Sequence, residues 1–409
     1  MMSFLYNFAL VFLTLIFFPK FLADFLFKKK YRKSLKRRLL PKTPNVRRKK
    51  VIWLHGVSVG EIKALSTLIP HIRKSASEAF IFVTTVTETG YAEGKRILKN
   101  IDEIQYLPLD FPWAVKSFVK ALNPSLLVLV EGDYWMNLMR EVKKCGGKTV
   151  VVNGKLSQKS LKRYLAFRPF AETIFSSIDL FCLQGESYLK RFLELGIPPE
   201  KLSVTGNLKF DIPYKEKVDP DTLRKEFGIG EKDTVITAGS THDGEEKLIF
   251  KAVSPLLEKD PHLKILIVPR HPERFKRVKE LFTHPQVKVV DKMGVLASCY
   301  RISNLAIVGG SFVKGVGGHD LFEPARMGVP TIYGPYVHKQ VDYDQMLSDS
   351  GGGVKLAPQE LQSGLSKLIL NPAQAKEIAE KGKNIAQKAL GVSFRTWNFT
   401  QSNISLEKN

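Results

Sequence analysis

The sequence predicts an α/β protein with two parallel sheets, each in a domain of its own, behind an apolar N-terminal helix. From residue 50 onward, short apolar runs alternate with longer helical stretches, which is the βαβ rhythm of parallel sheets. Several later runs, such as ILIV at 265–268, contain only aliphatic residues, as expected where both faces of a sheet are covered. The alternation breaks over residues 210–228, which are rich in charge and proline. This break indicates a connection between two doubly wound, Rossmann-like halves.

The length of the chain allows several domains. Its 409 residues are enough for two or three separate cores. Sheets of this kind bind ligands beyond the carboxyl ends of their strands, so functional residues are expected in the loops after strands. We divide the chain into a membrane anchor at 1–27, a basic segment at 28–50, a first Rossmann-like domain at 51–212, a linker at 213–222 and a second Rossmann-like domain at 223–409.

The N-terminus has the features of a membrane anchor. Residues 3–18 are apolar except for three polar side chains, Pro19 and Lys20 interrupt the run, and FLADFLF continues it to residue 27. The whole stretch reaches the length of about 20 residues that a spanning helix needs. No basic leader or small-residue cleavage site marks a signal peptide. The helix is expected to span the membrane or to lie at its surface, with a buried helix of the fold as the alternative.

The charge of the chain indicates an extended anionic partner. The net charge is +23, and residues 28–50 alone contain thirteen Lys or Arg and no acid. Nucleic acid, an acidic membrane surface and a phosphorylated lipid all fit such a charge. The basic segment directly follows the apolar helix, which favours anionic lipids of the inner membrane over nucleic acid. It also predicts that the body of the protein lies on the cytoplasmic face.

Cysteine and histidine spacing argues against a disulfide framework or a metal site. Cys145, Cys182 and Cys299 are odd in number, widely spaced and without a CxxC pair. The eight histidines show no HxxxH spacing. A reduced, cytosolic setting fits this pattern.

In the first half of the chain, polar residues follow three of the predicted strands. Ser58 and Glu61 in LHGVSVGE fit a capping box at a helix start, in which Glu61 reaches back to the cap amide, although Glu61 could instead accept a proton in a reaction. VEGDYWMN ends a strand on Glu131, with an aspartate and two aromatic residues that could hold a sugar or begin a helix. Asn153 and Lys155 follow a third strand in VVVNGKLSQKS.

In the second half, a Gly-Ser turn opens the first helix. Gly239 and Ser240 end the strand VITAGS, and Asp243 is expected to cap the helix with Glu246 as its box partner. Free amides at a helix N-terminus, with small residues beside them, suit a phosphate group. Loops of this kind are common, so the motif alone decides nothing.

Two further strand ends in the second half point to an anionic ligand. Arg270 and His271 end a buried strand, where an arginine offers a fork of donors to a phosphate or makes a surface ion pair. The loop at 309–318 contains more glycine than a tight turn needs, which favours close approach of the backbone to a ligand. Asp320 and Glu323 follow it and could cap a short helix.

Seven stretches of the sequence resemble, in order, those of Kdo transferases, which add 3-deoxy-D-manno-octulosonic acid (Kdo) to the lipid A precursor. The resemblance runs from about Trp53 to Asp342, and an N-terminal anchor with a basic flank is also typical of these enzymes. The stretches are HGVSVGE, VEGDYWMN, VNGKLSQKS, TGNLKFD, GSTHDGEE, PRHPERF and GGSFVKGVGGHDLFEPARMGVP.

The resemblance implies a GT-B glycosyltransferase, in which two Rossmann-like domains face a central cleft. It implies CMP-Kdo as the donor, a lipid A precursor (lipid IVA) as the acceptor, and no metal or other cofactor. In the inverting reaction, Glu61 would take the proton from a glucosamine hydroxyl. The residues implied at the acceptor are Ser58, Gly60, Glu131, Asn153 and Lys155. Those implied at the donor are Gly239, Ser240, Arg270, His271, Gly309, Gly310, Ser311, Gly317, Gly318, His319, Asp320 and Glu323.

The chain departs from the usual family pattern at three places. It has Glu-Gly-Asp at 131–133 for the common Glu-Thr-Glu, Asn-Gly-Lys at 153–155 for Asn-Ala-Arg, and Asp320 for an asparagine. A lysine keeps the positive charge of arginine but loses its bidentate fork. Two alternatives remain open: a GT-B enzyme with another sugar nucleotide, and a non-catalytic, membrane-tethered binder of anionic lipid or nucleic acid.

Overall fold

The computed structural model describes residues 2–27, 34–42, 44, 46, 50–213 and 218–406. Its strands are β1 (Val51–His55), β2 (Phe80–Thr85), β3 (Glu103–Tyr106), β4 (Leu126–Val130), β5 (Lys148–Gly154), β6 (Leu180–Leu183), β7 (Leu202–Val204), β8 (Thr234–Thr241), β9 (Leu263–Pro269), β10 (Val287–Val289), β11 (Leu305–Val308), β12 (Thr331–Tyr333) and β13 (Gly353–Lys355). Its helices are α1 (Met2–Leu26), α2 (Leu35–Leu39), α3 (Val59–Ser75), α4 (Glu88–Ile97), α5 (Pro112–Leu122), α6 (Met136–Lys144), α7 (Gln158–Ala166), α8 (Arg168–Phe175), α9 (Glu186–Glu194), α10 (Pro220–Phe227), α11 (Glu245–Leu257), α12 (Phe275–Lys279), α13 (Leu296–Arg301), α14 (Phe322–Arg326), α15 (Val341–Ser350), α16 (Leu361–Leu370), α17 (Pro372–Lys388) and α18 (Val392–Asn403).

The chain forms two compact units, each with its own parallel sheet. The first unit consists of residues 1–212 and 391–409, and the second of residues 213–390. The strand order is β3-β2-β1-β4-β5-β6-β7 in the first unit and β10-β9-β8-β11-β12-β13 in the second. Two doubly wound parallel sheets are what the sequence predicts, and this fold class is confirmed.

Strand β1 lies inside the first sheet, and each of its residues is buried. Trp53 packs against Phe82 and Phe118, whose ring centroids lie 6.0 and 5.5 Å away. Burial on both faces explains why this strand is a continuous apolar run. The chain continues to β2 on one side of β1 and returns as β4 on the other. The loops after β1 and β4 therefore diverge, which is where such sheets bind ligands.

The second sheet repeats this arrangement around β8, which pairs with β9 on one side and β11 on the other. Its core contains Ile236, Ile267 and Ile307, one from each of these three strands. The strand order reverses between β8 and β11, so the loops after these two strands are the expected ligand-binding loops of this unit.

The C-terminal helix α18 corrects the predicted domain boundaries. It packs on α3 of the first unit, where the Trp397 indole N–H donates to Ser75 Oγ at 2.7 Å. The Asp211 carboxylate accepts from the amides of Gly391 and Ser393 at 2.8 and 2.6 Å. The assignment of residues 391–409 to the second domain is therefore wrong, because the buried face of α18 completes the first unit.

The predicted linker 213–222 also needs correction. The second unit begins at residue 213, and Pro220 already opens α10, capped by the Asp219 carboxylate, which accepts from the Thr222 amide at 3.0 Å. Residues 214–217 lie outside the described part, as do residues 28–33, 43, 45 and 47–49 of the predicted basic segment 28–50. Of that segment, the structure describes α2 and a few neighbouring residues.

Helix α1 is long and apolar enough to cross a membrane over Met2–Lys20, and no residue of that window is buried. The helix continues through Pro19 to Leu26, so the break in the apolar run at Pro19 and Lys20 does not end it. A proline removes one backbone hydrogen bond and need not end a helix. Residues 11–20 are all exposed, whereas residues on one side of the first ten contact the first unit.

Candidate active site

Glu61 lies in the first turn of α3, directly after β1. Ser58 is the N-cap, and its Oγ accepts from the Glu61 amide at 3.4 Å. In return, Ser58 Oγ donates to Glu61 Oε1 and the Val57 amide donates to Glu61 Oε2, both at 2.7 Å. The predicted cap is confirmed, with one correction: Glu61 reaches back to the Val57 amide, not to the amide of the cap residue. Glu61 is 8% exposed, and its carboxylate lies at the positive end of the helix dipole.

Glycines on either side of Ser58 have different roles. A Cβ at Gly56 would lie 3.1 Å from Glu61 Cβ, so the absence of a side chain there lets α3 pack closely on the end of β1. A Cβ at Gly60 would meet only Lys209 Cε and Ser58 Oγ at 3.9 Å. Gly60, a predicted acceptor residue, therefore lies in open space beside Lys209. Gly56 has the tighter packing role.

Glu131 forms a charged cluster at the end of β4. Its two oxygens contact Lys155 Nζ at 2.5 Å and Lys209 Nζ at 2.9 Å. Burial alone would raise the pKa of Glu131, but the two ammonium groups outweigh burial and lower it. Glu131 therefore stays ionised at neutral pH. Its backbone is left-handed, with φ of 67°, which turns the side chain at the end of the strand.

Asn153 contacts this cluster from the buried side, toward the core of the first unit. Its side chain is fully buried, its Nδ2 donates to Glu131 Oε1 at 3.4 Å, and its Oδ1 accepts from the Leu208 amide at 2.9 Å. The predicted acceptor residue Asn153 thus connects the end of β5 to the turn that carries Lys209. The side chain holds neighbouring groups in place and is not open to solvent.

Asp133 is electrostatically coupled to both glutamates. Burial, and then the negative charges of Glu61 and Glu131, raise the pKa of Asp133 to about 6, with Lys155 acting in the opposite direction. The first unit therefore gathers three carboxylates and two lysines at the carboxyl ends of β1, β4 and β5. Sequence reasoning assigned no role to Lys209, although TGNLKFD, which contains it, was among the resembling stretches.

In the second unit, the end of β8 and the loop after β11 are in direct backbone contact. The Gly309 amide donates to the Gly239 carbonyl at 2.8 Å, and a Cβ at Gly309 would lie 2.6 Å from the Ser240 carbonyl oxygen. A Cβ at Gly239 would lie 2.1 Å from Tyr300 Oη. These two glycines are therefore needed for internal packing. Ser240 adopts a left-handed backbone with φ of 55°.

The glycine-rich loop itself folds back on β11. Gly310, Gly317 and Gly318 have φ of 69°, 93° and 80°, a region that favours glycine. The Gly318 amide donates to the Gly310 carbonyl at 2.8 Å. Ser311 is fully buried, donates to the Val308 carbonyl at 2.5 Å and accepts from the Gly334 amide at 2.8 Å, so its side chain serves the loop and not a ligand.

Glu245 and Glu246 organise these loops, and the predicted cap by Asp243 is wrong. The N-cap of α11 is Gly244, with φ of 90°. The buried Glu245 carboxylate accepts from the amides of His242, Gly310 and Phe312 at 2.9, 2.7 and 2.9 Å, which ties three loop segments together.

Glu246 binds an arginine instead of serving as a box partner. It contacts the Arg274 guanidinium through both oxygens, at 2.8 and 3.0 Å, and accepts from Thr241 Oγ1 at 2.8 Å. A glutamate that is 1% exposed needs such a charged partner. Sequence reasoning missed Glu245 and Arg274, because their partners are distant in the chain.

Three histidines meet beside Arg270. The Nε2 atoms of His319 and His242 lie 2.8 Å apart, and the rings of His242 and His271 have centroids 5.2 Å apart. Burial and then the neighbouring His242, Arg270 and His271 lower the pKa of His319 to about 4. The pair is therefore neutral at pH 7, with one ring donating and the other accepting. His242 was not among the predicted residues.

Asp320 and Glu323 follow this cluster. Asp320 Oδ1 accepts from the Phe322 amide at 2.9 Å, at the start of the short α14. Burial, and then the Asp320 charge, raise the pKa of Glu323 to about 8, against the opposing charges of Arg270 and Arg326. The site of the second unit thus combines a guanidinium, neutral imidazoles and a carboxyl group that holds its proton at neutral pH.

Comparison with known proteins decides the family. Residues 33–212 match the sequence model of 3-deoxy-D-manno-octulosonic-acid transferase (kdotransferase). A 3-deoxy-D-manno-octulosonic acid transferase of Chlamydophila psittaci is 33% identical, over 97% of this chain and 95% of the relative. This chain belongs to the Kdo transferase family.

The Kdo transferase assignment agrees with a second relative and with a fold neighbour. The 3-deoxy-D-manno-octulosonic acid transferase of Haemophilus influenzae is 32% identical, over 84% of this chain and 85% of the relative. A solved glycosyltransferase of Rickettsia africae is 14% identical and has a TM-score of 0.62, over 87% of this chain and 99% of that one, which shows a common fold. The predicted family and enzyme class, a glycosyltransferase, are confirmed.

Proposed function

We propose that this protein transfers Kdo from CMP-Kdo, with inversion at the anomeric carbon, to a glucosamine hydroxyl of a lipid A precursor in lipopolysaccharide synthesis. Family membership supports the class of reaction. The observation that carries the acceptor half is the Glu61 carboxylate, held at a helix N-terminus beside the cluster of Glu131, Lys155 and Lys209.

Glu61 is suited to accept the proton of the acceptor hydroxyl. Each of its oxygens accepts one hydrogen bond within the unit and keeps a further lone pair for the acceptor. The hydroxyl oxygen bonds to the anomeric carbon as its proton passes to Glu61. The phosphate oxygen of CMP leaves with the electron pair of the broken bond. Lys155 and Lys209 limit the negative charge that would otherwise oppose an anionic substrate.

The second unit is suited to hold the nucleotide. Arg270 and the imidazole N–H groups beside it can donate to the leaving phosphate, whose charge grows in the transition state. The Glu323 carboxyl can hydrogen-bond to ribose hydroxyls. We propose that this charge stabilisation requires no divalent cation, so activity should persist in excess chelator.

The N-terminus is proposed to hold the enzyme at the cytoplasmic face of the inner membrane. The long apolar window of α1 is exposed, as a membrane contact requires. The excess of Lys and Arg after this helix supports binding to the anionic lipids of that face.

The deciding experiment is a transfer assay. Membranes containing the protein are incubated with CMP-Kdo and tetra-acylated lipid A precursor, and the lipid is analysed by mass spectrometry. A mass increase of one or more Kdo units is expected. Transfer from UDP- or GDP-sugars but not from CMP-Kdo would replace the proposal with the alternative of another sugar nucleotide.

A further inference from the structure

The N-terminal half of α1 is docked on the first unit by polar contacts. Tyr6 donates to Asp110 Oδ2 at 2.7 Å, and Asn137 Nδ2 donates to Asn7 Oδ1 at 2.7 Å. The Tyr6 ring stacks on Phe170 with centroids 6.2 Å apart. Asp110 also accepts from the Asn137 amide at 3.0 Å, so the contact reaches into the fold at the start of α6.

These contacts exclude a transmembrane orientation of α1 while they hold. Residues 6 and 7 are bonded to the same unit into which the chain continues from residue 51. A spanning helix would place its two ends on opposite sides of about 30 Å of hydrocarbon. The docked helix therefore lies along the membrane surface, with the exposed residues 11–18, all apolar except Thr14, available to the bilayer.

An apolar groove runs between the docked half of α1 and helices α7 and α8, which are joined at Phe167 and are called the α7–α8 hairpin below. Its volume is about 740 Å³, within the usual range of ligand sites. Leu5, Ala9 and Leu13 line it from α1, and Tyr164, Ala166 and Phe167 line it from the hairpin. The Phe167 side chain is largely exposed and adds apolar surface to the groove.

Charge and position indicate what fills this groove. Lys159, Lys162 and Arg163 of α7 lie beside it and provide cations for lipid phosphates. Helix α7 also begins three residues after Lys155, which binds Glu131 in the acceptor cluster. The helix is about 14 Å long, so a molecule with a sugar headgroup at the cluster and an apolar tail could follow α7 to the groove.

We propose that the groove between α1 and the α7–α8 hairpin binds a fatty acyl chain of the acceptor lipid while its sugar lies at the Glu131–Lys155 cluster. The identity of the acceptor rests on the proposed function above. The groove adds a second point of recognition, in which the anchor helix itself forms part of the substrate site.

The test fills the groove with a larger side chain. Ala166→Trp should raise KM for the tetra-acylated acceptor about tenfold, because a few methylene groups lose their burial. The kcat, CMP affinity and KM for the deacylated disaccharide should not change. Ala121→Trp, on the exposed face of α5 in the same unit, is the matched control and should leave both KM values unchanged. If Ala166→Trp changes KM equally for the tetra-acylated acceptor and the deacylated disaccharide, or changes neither, the proposal is overturned.

Two direct binding measurements distinguish an acyl chain of the acceptor from one of a bilayer lipid. They also show whether the groove proposal or the proposed function has failed. Wild type and Ala166→Trp should bind equally to vesicles of phosphatidylethanolamine and phosphatidylglycerol. A loss of vesicle binding in the variant would assign the groove to bilayer lipid instead. Calorimetry with acylated and deacylated acceptor in micelles, without donor, should show a weaker affinity of the variant for the acylated form only. If the wild type transfers no Kdo, yet the variant binds the acylated acceptor more weakly than the wild type does, the proposed function is wrong and the proposed role of the groove is supported.

Discussion

Substitution of Glu61 by glutamine separates the capping role of this residue from its chemistry. The carboxylate accepts two hydrogen bonds of 2.7 Å, from Val57 and Ser58, and hydrogen bonds to a charged acceptor contribute about 1.5–3 kcal/mol each. Glutamine keeps one acceptor oxygen for the Val57 amide, and its amino group can donate to Ser58 Oγ. The net loss of stability should therefore be small, about 1 kcal/mol, because both contacts survive in weaker form.

The expected effect on activity is far larger. A general base contributes about 100- to 10,000-fold to the rate, and glutamine cannot accept the proton. The assay combines single-turnover Kdo transfer with thermal unfolding. For a unit of roughly 230 residues, a loss of 1 kcal/mol lowers Tm by about 2–4 °C. CMP affinity should be unaffected.

Two control variants make this result interpretable. Glu186→Gln changes a first-turn glutamate of α9 in the same unit and should keep full activity. Ser58→Ala removes the cap and should lower stability by about 0.5–2 kcal/mol while keeping much of the activity. If Glu61→Gln keeps more than a tenth of wild-type turnover, or if its activity falls only as far as that of Ser58→Ala, Glu61 is not the base.

Three further predictions concern charge and packing. The pKa of Asp133 is raised, so its ionisation opposes folding; Asp133→Asn should raise Tm at pH 7.5, and the difference should vanish below about pH 4, where the residue is protonated in both states. The pKa of Glu323 is about 8, so CMP affinity of the wild type should fall between pH 7 and 9 as a negative charge develops near the phosphate, whereas Glu323→Gln should show a flat profile by calorimetry; parallel profiles would contradict this. Gly309→Ala should destabilise the protein by about 1–3 kcal/mol in urea unfolding, because its Cβ would meet the Ser240 carbonyl oxygen, whereas Gly230→Ala, whose nearest contact is 3.7 Å, should be nearly neutral.

Local sequence patterns were sufficient to predict the alternation of strands and helices in both sheets. The aliphatic run of β9 and the capping box at Ser58 depend on residues close in the chain, so their structures follow from spacing alone. The rule that parallel sheets bind ligands beyond their strands also predicts binding sites in the loops after β1, β4, β8 and β11, and these sites stay a prediction. Local sequence patterns could not predict which distant residues contact the residues of those loops. Lys209 reaches Glu131 from 78 residues away, and Glu245 reaches Gly310 from 65.

Tertiary structure also changed the meaning of several sequence features. The glycines at 239 and 309 suggest close approach to a ligand, yet they serve contacts with Tyr300 and Ser240. Asn153 looks like a site residue and is buried beneath the site. Helix α18 carries no sequence signal that assigns it to the first unit. Its place depends on a mixed buried face, in which Trp397 bonds to Ser75 of α3, Thr396 bonds to Thr205 and Val392 lies beside Gly206.

The sequence by itself determined the family, the two parallel sheets and the apolar N-terminal helix, because ordered motifs and hydrophobic periodicity are properties of neighbouring residues. Tertiary structure alone decided the charge state of the cluster around Glu131, the neutral histidine pair and the docking of α1. Each of these depends on burial and on charges brought together from distant parts of the chain. The electrostatic free energy between two groups depends on the distance between them in space, and the sequence alone does not give that distance.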